Sequence, residues 1–155
     1  MNLERARAYS KARKKLKKKK TKTPAQLADE CAVLLQKIVR MKAAIAAGGG
    51  HIKCVTCGKL DDWKSMQGGH YISRGKSPTK LVEEQIHPQC PRCNCWGGGE
   101  GQLYTLYMID MYGREFVDEL HDLSRQKGWK WNRADLEDLR AELKQRIKQY
   151  EGELL

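Results

Sequence analysis

Little in this chain is suited to a large apolar interior. One phenylalanine and four prolines occur in 155 residues, the apolar share is 40%, and 32% of the residues are charged. So thin an apolar supply excludes two ordinary hydrophobic domains and predicts one modest unit, held by something besides core burial. No apolar run approaches the ~18 residues of a membrane span, and no apolar h-region follows the basic N-terminus as it does in a secretory signal. No membrane association is expected, and the expected location is the cytoplasm, where thiols stay reduced. Acid is missing from one place in particular. Residues 1–22 hold eleven Lys and Arg against the single acid Glu4, whereas residues 23–155 nearly balance at 19 bases and 18 acids, so almost all of the +11 net charge lies in one tail.

That tail contains Arg13, Lys14, Lys15, Lys17, Lys18, Lys19 and Lys20. A block of this kind repels itself, cannot pack, and reads as a flexible basic arm (1–22) that finds phosphate by counterion release. Nucleic acid is the expected partner; a solubility tail or a contact for an acidic protein is the competing reading. Such an arm contributes affinity for polyanions rather than choice of sequence.

Past the arm, Thr23 as N-cap with Pro24 at the first helical position predicts an N-terminal helix within 23–50. Leu27, Cys31, Leu34, Ile38, Met41 and Ile45 form its apolar stripe, and Gly48, Gly49 and Gly50 end it. From His51 to Gly101 the texture changes to Cys, Gly, Pro and short β-like runs. A C-terminal helical region follows over 102–155. Leu103, Leu106, Tyr107 and Ile109 run up to Gly113, and Val117, Leu120 and Leu123 run up to Gly128. A last helix, capped by Asn132, carries Leu136, Leu139, Leu143, Ile147 and Tyr150 on one face. Trp129 and Trp131 in the joint read as packing anchors rather than base-stacking platforms.

Six cysteines offer the missing staple. In a reducing compartment, paired CxxC spacings favour zinc over disulfides. Cys54-Val-Thr-Cys57 and Cys90-Pro-Arg-Cys93 each place two thiolates on one tight turn, and together they give a tetrahedral four-sulfur site suited to a structural Zn²⁺. A closed site has no open coordination position, so such a zinc holds the fold and does no chemistry. Cys31 reads as a core residue of the first helix, and Cys95 as a bystander thiol.

Thirty-two residues separate Cys57 from Cys90, more than the ~15–20 of a simple zinc ribbon, so an extra element is inserted. It contains Gly68-Gly69-His70-Tyr71-Ile72-Ser73-Arg74-Gly75; Gln85 lies five residues before Cys90, and Asn94 follows Cys93 directly. Taken alone, a histidine is more often structural than catalytic. The order His, amide, then CxxC-Asn resembles the zinc-stapled HNH, or His-Me finger, nucleases over residues 54 to about 98. Three features are similar to the NinG/Rap family of lambdoid phages over residues 51 to about 150. They are Gly69-His70-Tyr71, the string Ile86-His87-Pro88-Gln89-Cys90-Pro91-Arg92-Cys93-Asn94, and a Gly-rich stretch before a Tyr-rich helix that ends near Met111-Tyr112-Gly113.

The resemblance implies an α+β fold, with a small ββα-metal (HNH-like) nuclease core at 51–101 braced by the four-cysteine zinc site and flanked by N- and C-terminal helices. It also implies a phage-encoded, metal-dependent endodeoxyribonuclease of Holliday junction resolvase type, hydrolysing branched recombination intermediates such as Holliday junctions and D-loop-like DNA. On that pattern His70 is the general base. Asn94 stands at the last motif position and helps to hold Mg²⁺ or Mn²⁺, and Gln85 takes the middle catalytic position, usually Asn, with Glu84 as its rival. Many HNH members carry a metal-binding Asp or His just before the base, where this sequence has Gly69. The catalytic-metal shell is therefore expected to draw on Glu84, His87 and Asp62 beside Asn94, with Asp61 and Glu100 as further carboxylates. Arg74, Lys76 and Arg92, with Lys80, are expected to contact phosphates flanking the cut. Resolving a four-way junction takes two symmetric nicks, so a homodimer is expected.

A non-catalytic zinc-knuckle DNA-binding accessory protein explains the cysteines and the charge without using His70, Gln85 or Asn94. An RNA-binding zinc protein fits the arm but not the long insert.

Overall fold

The first helix begins where the sequence supplies a cap. In the computed structural model, which describes Glu4, Arg5 and residues 21–154, Thr23 Oγ1 accepts from the Gln26 amide at 3.2 Å while Gln26 Oε1 accepts from the Thr23 amide at 2.9 Å. This capping box satisfies two orphan donors, and Pro24 fills a position that needs none. Of the expected basic arm, Arg13, Lys14, Lys15, Lys17, Lys18, Lys19 and Lys20 lie outside the described residues.

Helix α1 runs Pro24–Ala46 and buries Leu27, Ala28, Cys31, Ala32, Leu35, Ile38, Val39, Met41 and Ala44. Its buried face is wider than the sequence stripe: Leu34 and Ile45 are only half-buried, while Leu35 and Val39 are core. The reason is that α1 is covered twice, by the last helix and by a β-hairpin. That last helix, α4 (Arg133–Glu153), starts with Asn132 Oδ1 accepting from the Ala134 amide at 2.9 Å. Leu136, Leu143 and Ile147 join the α1 core, with Leu139, Tyr150 and Trp131 packed at its margin. Burying each such aliphatic side chain contributes about 1.5–3 kcal/mol. Ion pairs Arg140–Glu30 (3.1 Å) and Lys37–Glu151 (2.7 Å) line the seam. The apolar stripe of α4 is thus packed on α1, which shares its own apolar face between α4 and the β-hairpin.

Four short strands make two antiparallel pairs. β1 (His51–Lys53) pairs with β2 (Leu60–Asp62), and β3 (Gln67–His70) pairs with β4 (Ile86–Gln89) in the register Gln67↔Gln89, Gly69↔His87 and His70↔Ile86. Two-stranded ribbons are marginal alone. Here β3 and β4 lie against α1, and the first Cys pair follows β1 while the second follows β4. Between β3 and β4 the chain makes two 3₁₀ turns, Ser77–Thr79 and Glu83–Gln85. After β4 comes a π-helical turn, Arg92–Trp96, then α2 (Gly101–Tyr112) and α3 (Arg114–Ser124), which part at Gly113 with φ 85°. Tyr104 and Met108 of α2 pack with Val117 and Leu120 of α3 and with Ile72 from the inserted loop. The architecture is α+β, as expected, and no helix among the described residues is long and apolar enough to cross a membrane.

Candidate functional site

The four expected zinc ligands converge. The Sγ atoms of Cys54, Cys57, Cys90 and Cys93 lie within 4.8 Å of one another, the only group of three or more His, Cys, Asp or Glu among the described residues arranged to hold a metal. Cys57 and Cys90 are 3.8 Å apart. A tetrahedron with Zn–S arms of ~2.3 Å has edges of ~3.8 Å, so the thiols fit a metal such as zinc. Cys31 is buried in the α1 core and Cys95 is exposed, both outside the cluster.

Beside this cluster a cleft of about 800 Å³ opens between α1, β3, the inserted loop and the turn after β4, with His70, Arg74, Asn94, Gln36 and Arg40 in its wall. Gly68 makes it possible. A Cβ there would stand 2.6 Å from the Gln36 Cα, so only glycine lets α1 come this close to β3.

His70 ends β3. Its Nε2 lies 3.1 Å from the Lys80 carbonyl, which can only accept, so Nε2 carries the proton and Nδ1 the lone pair. The Gln36 amide nitrogen reaches Nδ1 at 3.4 Å, a long contact that leaves this lone pair weakly engaged. Burial, reinforced by the positive charges of Arg74 and Lys80, depresses the imidazole pKa to about 4 against the pull of the Lys80 carbonyl. At neutral pH the ring is a neutral base.

Gln85 is fully buried, and the structure makes it a brace rather than a group that meets substrate. Its Oε1 accepts from the Ile72 amide at 2.8 Å and its Nε2 donates to the Thr79 carbonyl. It therefore clamps the loop whose next carbonyl, that of Lys80, holds His70; Gln85 is a positioning residue. Tyr104 secures the same region from α2, its Oη proton shared between the Gly69 carbonyl at 2.8 Å and the Gln85 carbonyl at 3.1 Å.

Asn94 does enter the cleft. Its Nδ2 donates to Gln67 Oε1 at 2.7 Å, which turns Oδ1 toward Gly69. The other residues expected in a metal shell go elsewhere. His87 projects from β4 into the tyrosines of α2, with ring centroids 4.9 Å from Tyr107 and 5.7 Å from Tyr112, and Nε2 donates to the Glu84 carbonyl at 2.8 Å. Glu84 and His87 line a second groove, of about 670 Å³, that shares no described residue with the cleft. Asp62 Oδ1 accepts from the Lys64 amide at 2.8 Å and closes the turn after β2. Asp61 pairs with Lys59 at 2.7 Å, and the Glu100 carboxylate packs over Gly97. Local hydrogen bonding and strand direction thus withdraw Glu84, His87 and Asp62 from Asn94.

Of the expected phosphate contacts, Arg74 is exposed and lines the cleft, whereas Lys76 faces a separate hollow near Trp129 and Arg92 is exposed outside the cleft lining. The Lys80 ammonium is engaged by Asp29 at 2.9 Å. Sequence reasoning missed Gln36 and Arg40. Arg40 donates to the Gln36 carbonyl at 3.0 Å and to the Met66 carbonyl at 2.9 Å, and burial lowers its pKa while leaving it a cation at neutral pH. Their spacing of four puts them on one helical face, but nothing in the sequence says that this face meets β3.

The family model described as Bacteriophage Lambda NinG protein matches residues 2–153. The chain belongs to the NinG family. Protein ninG of Escherichia phage lambda is 30% identical over 98 residues, which is 63% of this chain and 47% of that protein. Protein ninG of Escherichia phage 933W is 29% identical over the same length and shares, and that of Enterobacteria phage H19B is 29% identical over 79 residues, 50% of this chain and 39% of the relative. The chain spans about half the length of the NinG relatives it matches. No solved structure matches.

Proposed function

We propose that this NinG-family chain is a metal-dependent endodeoxyribonuclease that hydrolyses phosphodiesters in branched DNA, with its cleft as the active site. The observation that carries the reading is the state of His70: neutral, oriented by the Lys80 carbonyl, its Nδ1 lone pair turned away from that anchor, at the end of a β-hairpin followed by a helical turn bearing Asn94. On this reading the hairpin and turn are the counterpart of an HNH-like ββα core. His70 takes the proton of the attacking water at Nδ1. Gln85 holds the loop that holds His70, and Arg74 with Arg40 supplies positive charge to the phosphate. The zinc cluster fixes the strands and stays outside the chemistry.

The cleft also offers oxygen to a hard cation. Asn94 Oδ1 is free of the hydrogen bond its amide nitrogen makes, and the buried Gln89 Oε1 near it has no hydrogen-bond partner. Mg²⁺ or Mn²⁺ bound there would supply Lewis-acid polarisation of the scissile phosphate and charge stabilisation of the departing 3′ oxygen. Branched substrates, Holliday junctions and D-loop-like DNA among them, follow from the similarity to the NinG/Rap phage family. Paired nicks on a four-way junction require a homodimer with two such clefts, acting in the cytoplasm of the bacterial host.

Zinc-loaded protein incubated with Mn²⁺ or Mg²⁺ should nick a four-way junction. His70→Ala should abolish cutting while leaving zinc content and junction binding unchanged; undiminished cutting by that variant refutes the assignment. One observation favours the competing accessory role: among the described residues no carboxylate lines the cleft. Junction binding without cleavage by the wild-type protein, with either metal, would support it.

A further inference from the structure

Gly69 poses a question of space, not of conformation. Its φ lies outside the left-handed range, so any L-residue fits the backbone there. What excludes a side chain is Gln89. A Cβ built on Gly69 would fall on Gln89 Oε1, well inside contact, and 3.1 Å from Asn94 Oδ1. Two amide oxygens from β4 and the following turn therefore occupy the place to which a residue-69 side chain would point.

Gln89 cannot be turned round. It is fully buried, and its Nε2 donates to the Gly99 carbonyl at 3.0 Å and to Thr56 Oγ1 at 3.4 Å. Exchanging the two ends of the amide would set Oε1 against the Gly99 carbonyl, acceptor against acceptor. Its oxygen is thus held toward Gly69, and it is the only buried side-chain N or O among the described residues with no hydrogen-bond partner. Leaving an acceptor buried and unmet is costly, and such a group asks for a ligand.

We propose that Gln89 Oε1, together with Asn94 Oδ1, is a divalent-cation site at Gly69. The assignment rests on the nuclease reading for its purpose, and it names a ligand that none of the expected carboxylates supplies. Amide oxygens are hard donors suited to Mg²⁺ and Mn²⁺. Being neutral, they leave the charge of the ion uncompensated, so DNA phosphate must complete the site. The ion accordingly binds weakly to free protein and at least tenfold more tightly in the presence of junction DNA.

The test is Mn²⁺ binding followed by electron paramagnetic resonance on zinc-loaded protein. It is made in the His70→Ala background so that DNA remains uncut, with DNA alone subtracted. Gln89→Met, which keeps the length and removes the oxygen, should weaken DNA-supported Mn²⁺ binding at least tenfold. The exchange Gly69→Asp with Gln89→Ala, which moves the oxygen to residue 69 and empties the space it needs, should restore binding to the starting level or beyond. If Gln89→Met does not fold, the exchange variant decides. Mn²⁺ affinity unchanged by Gln89→Met, or no binding in a folded exchange variant, overturns the site even if the wild-type protein cuts junctions. Gln89-dependent Mn²⁺ binding by a protein that never cuts DNA would instead uphold the site and defeat the nuclease reading.

Discussion

Acidification tests the environment of His70 directly. An imidazole in the unfolded chain titrates near ~6.5, and in the folded protein burial beside Arg74 and Lys80 holds it at about 4. Between those values only the unfolded chain takes up the proton. The unfolded state therefore binds more protons there, and stability is lost as pH falls from about 6.5 toward about 4. At pH 5.5 an unfolded imidazole is mostly protonated and the folded one almost wholly neutral, so moving from pH 7.5 to 5.5 costs roughly 1.3 kcal/mol through His70 alone. Lower pH is avoided because protonation of the cysteines releases zinc and unfolds the protein for another reason. The assay is urea unfolding of the wild type and of His70→Gln at the two pH values, with zinc content checked at each. Burial also lowers the His87 pKa, but that contribution is common to both proteins and cancels in the comparison. The wild type should show the larger loss by about 1.3 kcal/mol. An NMR titration of the four histidines should show the His70 ring unprotonated at pH 5.5, and Arg74→Ala should raise its pKa. Equal pH dependence of the two proteins, or a His70 midpoint near 6.5, would refute the account of a desolvated, cation-flanked imidazole.

Gln85→Leu should destabilise the fold by about 2–3 kcal/mol, because it strands the Ile72 amide and the Thr79 carbonyl at a fully buried position. It should also shift the His70 ring resonances, since the loop bearing the Lys80 carbonyl loses its clamp; urea unfolding and NMR read the two effects, and an unaltered His70 signal would deny the positioning role. Removing zinc with a chelator should melt the hairpins and collapse the cleft, visible by circular dichroism and restored by added Zn²⁺. Cys93→Ser should reproduce that loss, whereas Cys95→Ser, outside the cluster, should retain one zinc per chain by a chromogenic assay.

What could be read in the sequence was what short-range chemistry decides. The two CxxC turns locate four thiols with no knowledge of the path between them, and Thr23, Pro24 and Asn132 mark helix starts by hydrogen bonds that reach at most three residues. Glu84 and His87 do not join Asn94 as the motif order suggests, because their placement depends on the direction in which β4 sends its side chains. Counting from motif positions places His87 and Glu84 near Asn94, but the tyrosines of α2 draw His87 into another groove. Leu34 and Leu35 differ in burial only because a second layer covers α1, and no single-helix periodicity contains that layer. Gln36 and Arg40 were invisible for the same reason. The two glycines before His70 were legible as sites of close approach, yet not as two different approaches, a helix at Gly68 and an amide at Gly69.

The four-cysteine cluster and the cleft are mechanically one object. Gln89 immediately precedes Cys90 and Asn94 immediately follows Cys93, so the second CxxC turn carries both amides at its ends. Thr56, inside the first turn, lies 3.2 Å from Cys54 Sγ and receives Gln89 Nε2 at 3.4 Å, while the Gly99 amide donates to the Cys93 carbonyl at 2.9 Å and the Gly99 carbonyl holds Gln89 in return. Closing four thiolates on one ion therefore fixes the two CxxC turns relative to each other. That in turn fixes where the Gln89 and Asn94 oxygens stand beside Gly69. A metal held by the four cysteines, with no open coordination position, would thereby govern the geometry of the cleft through a chain of only two or three hydrogen bonds.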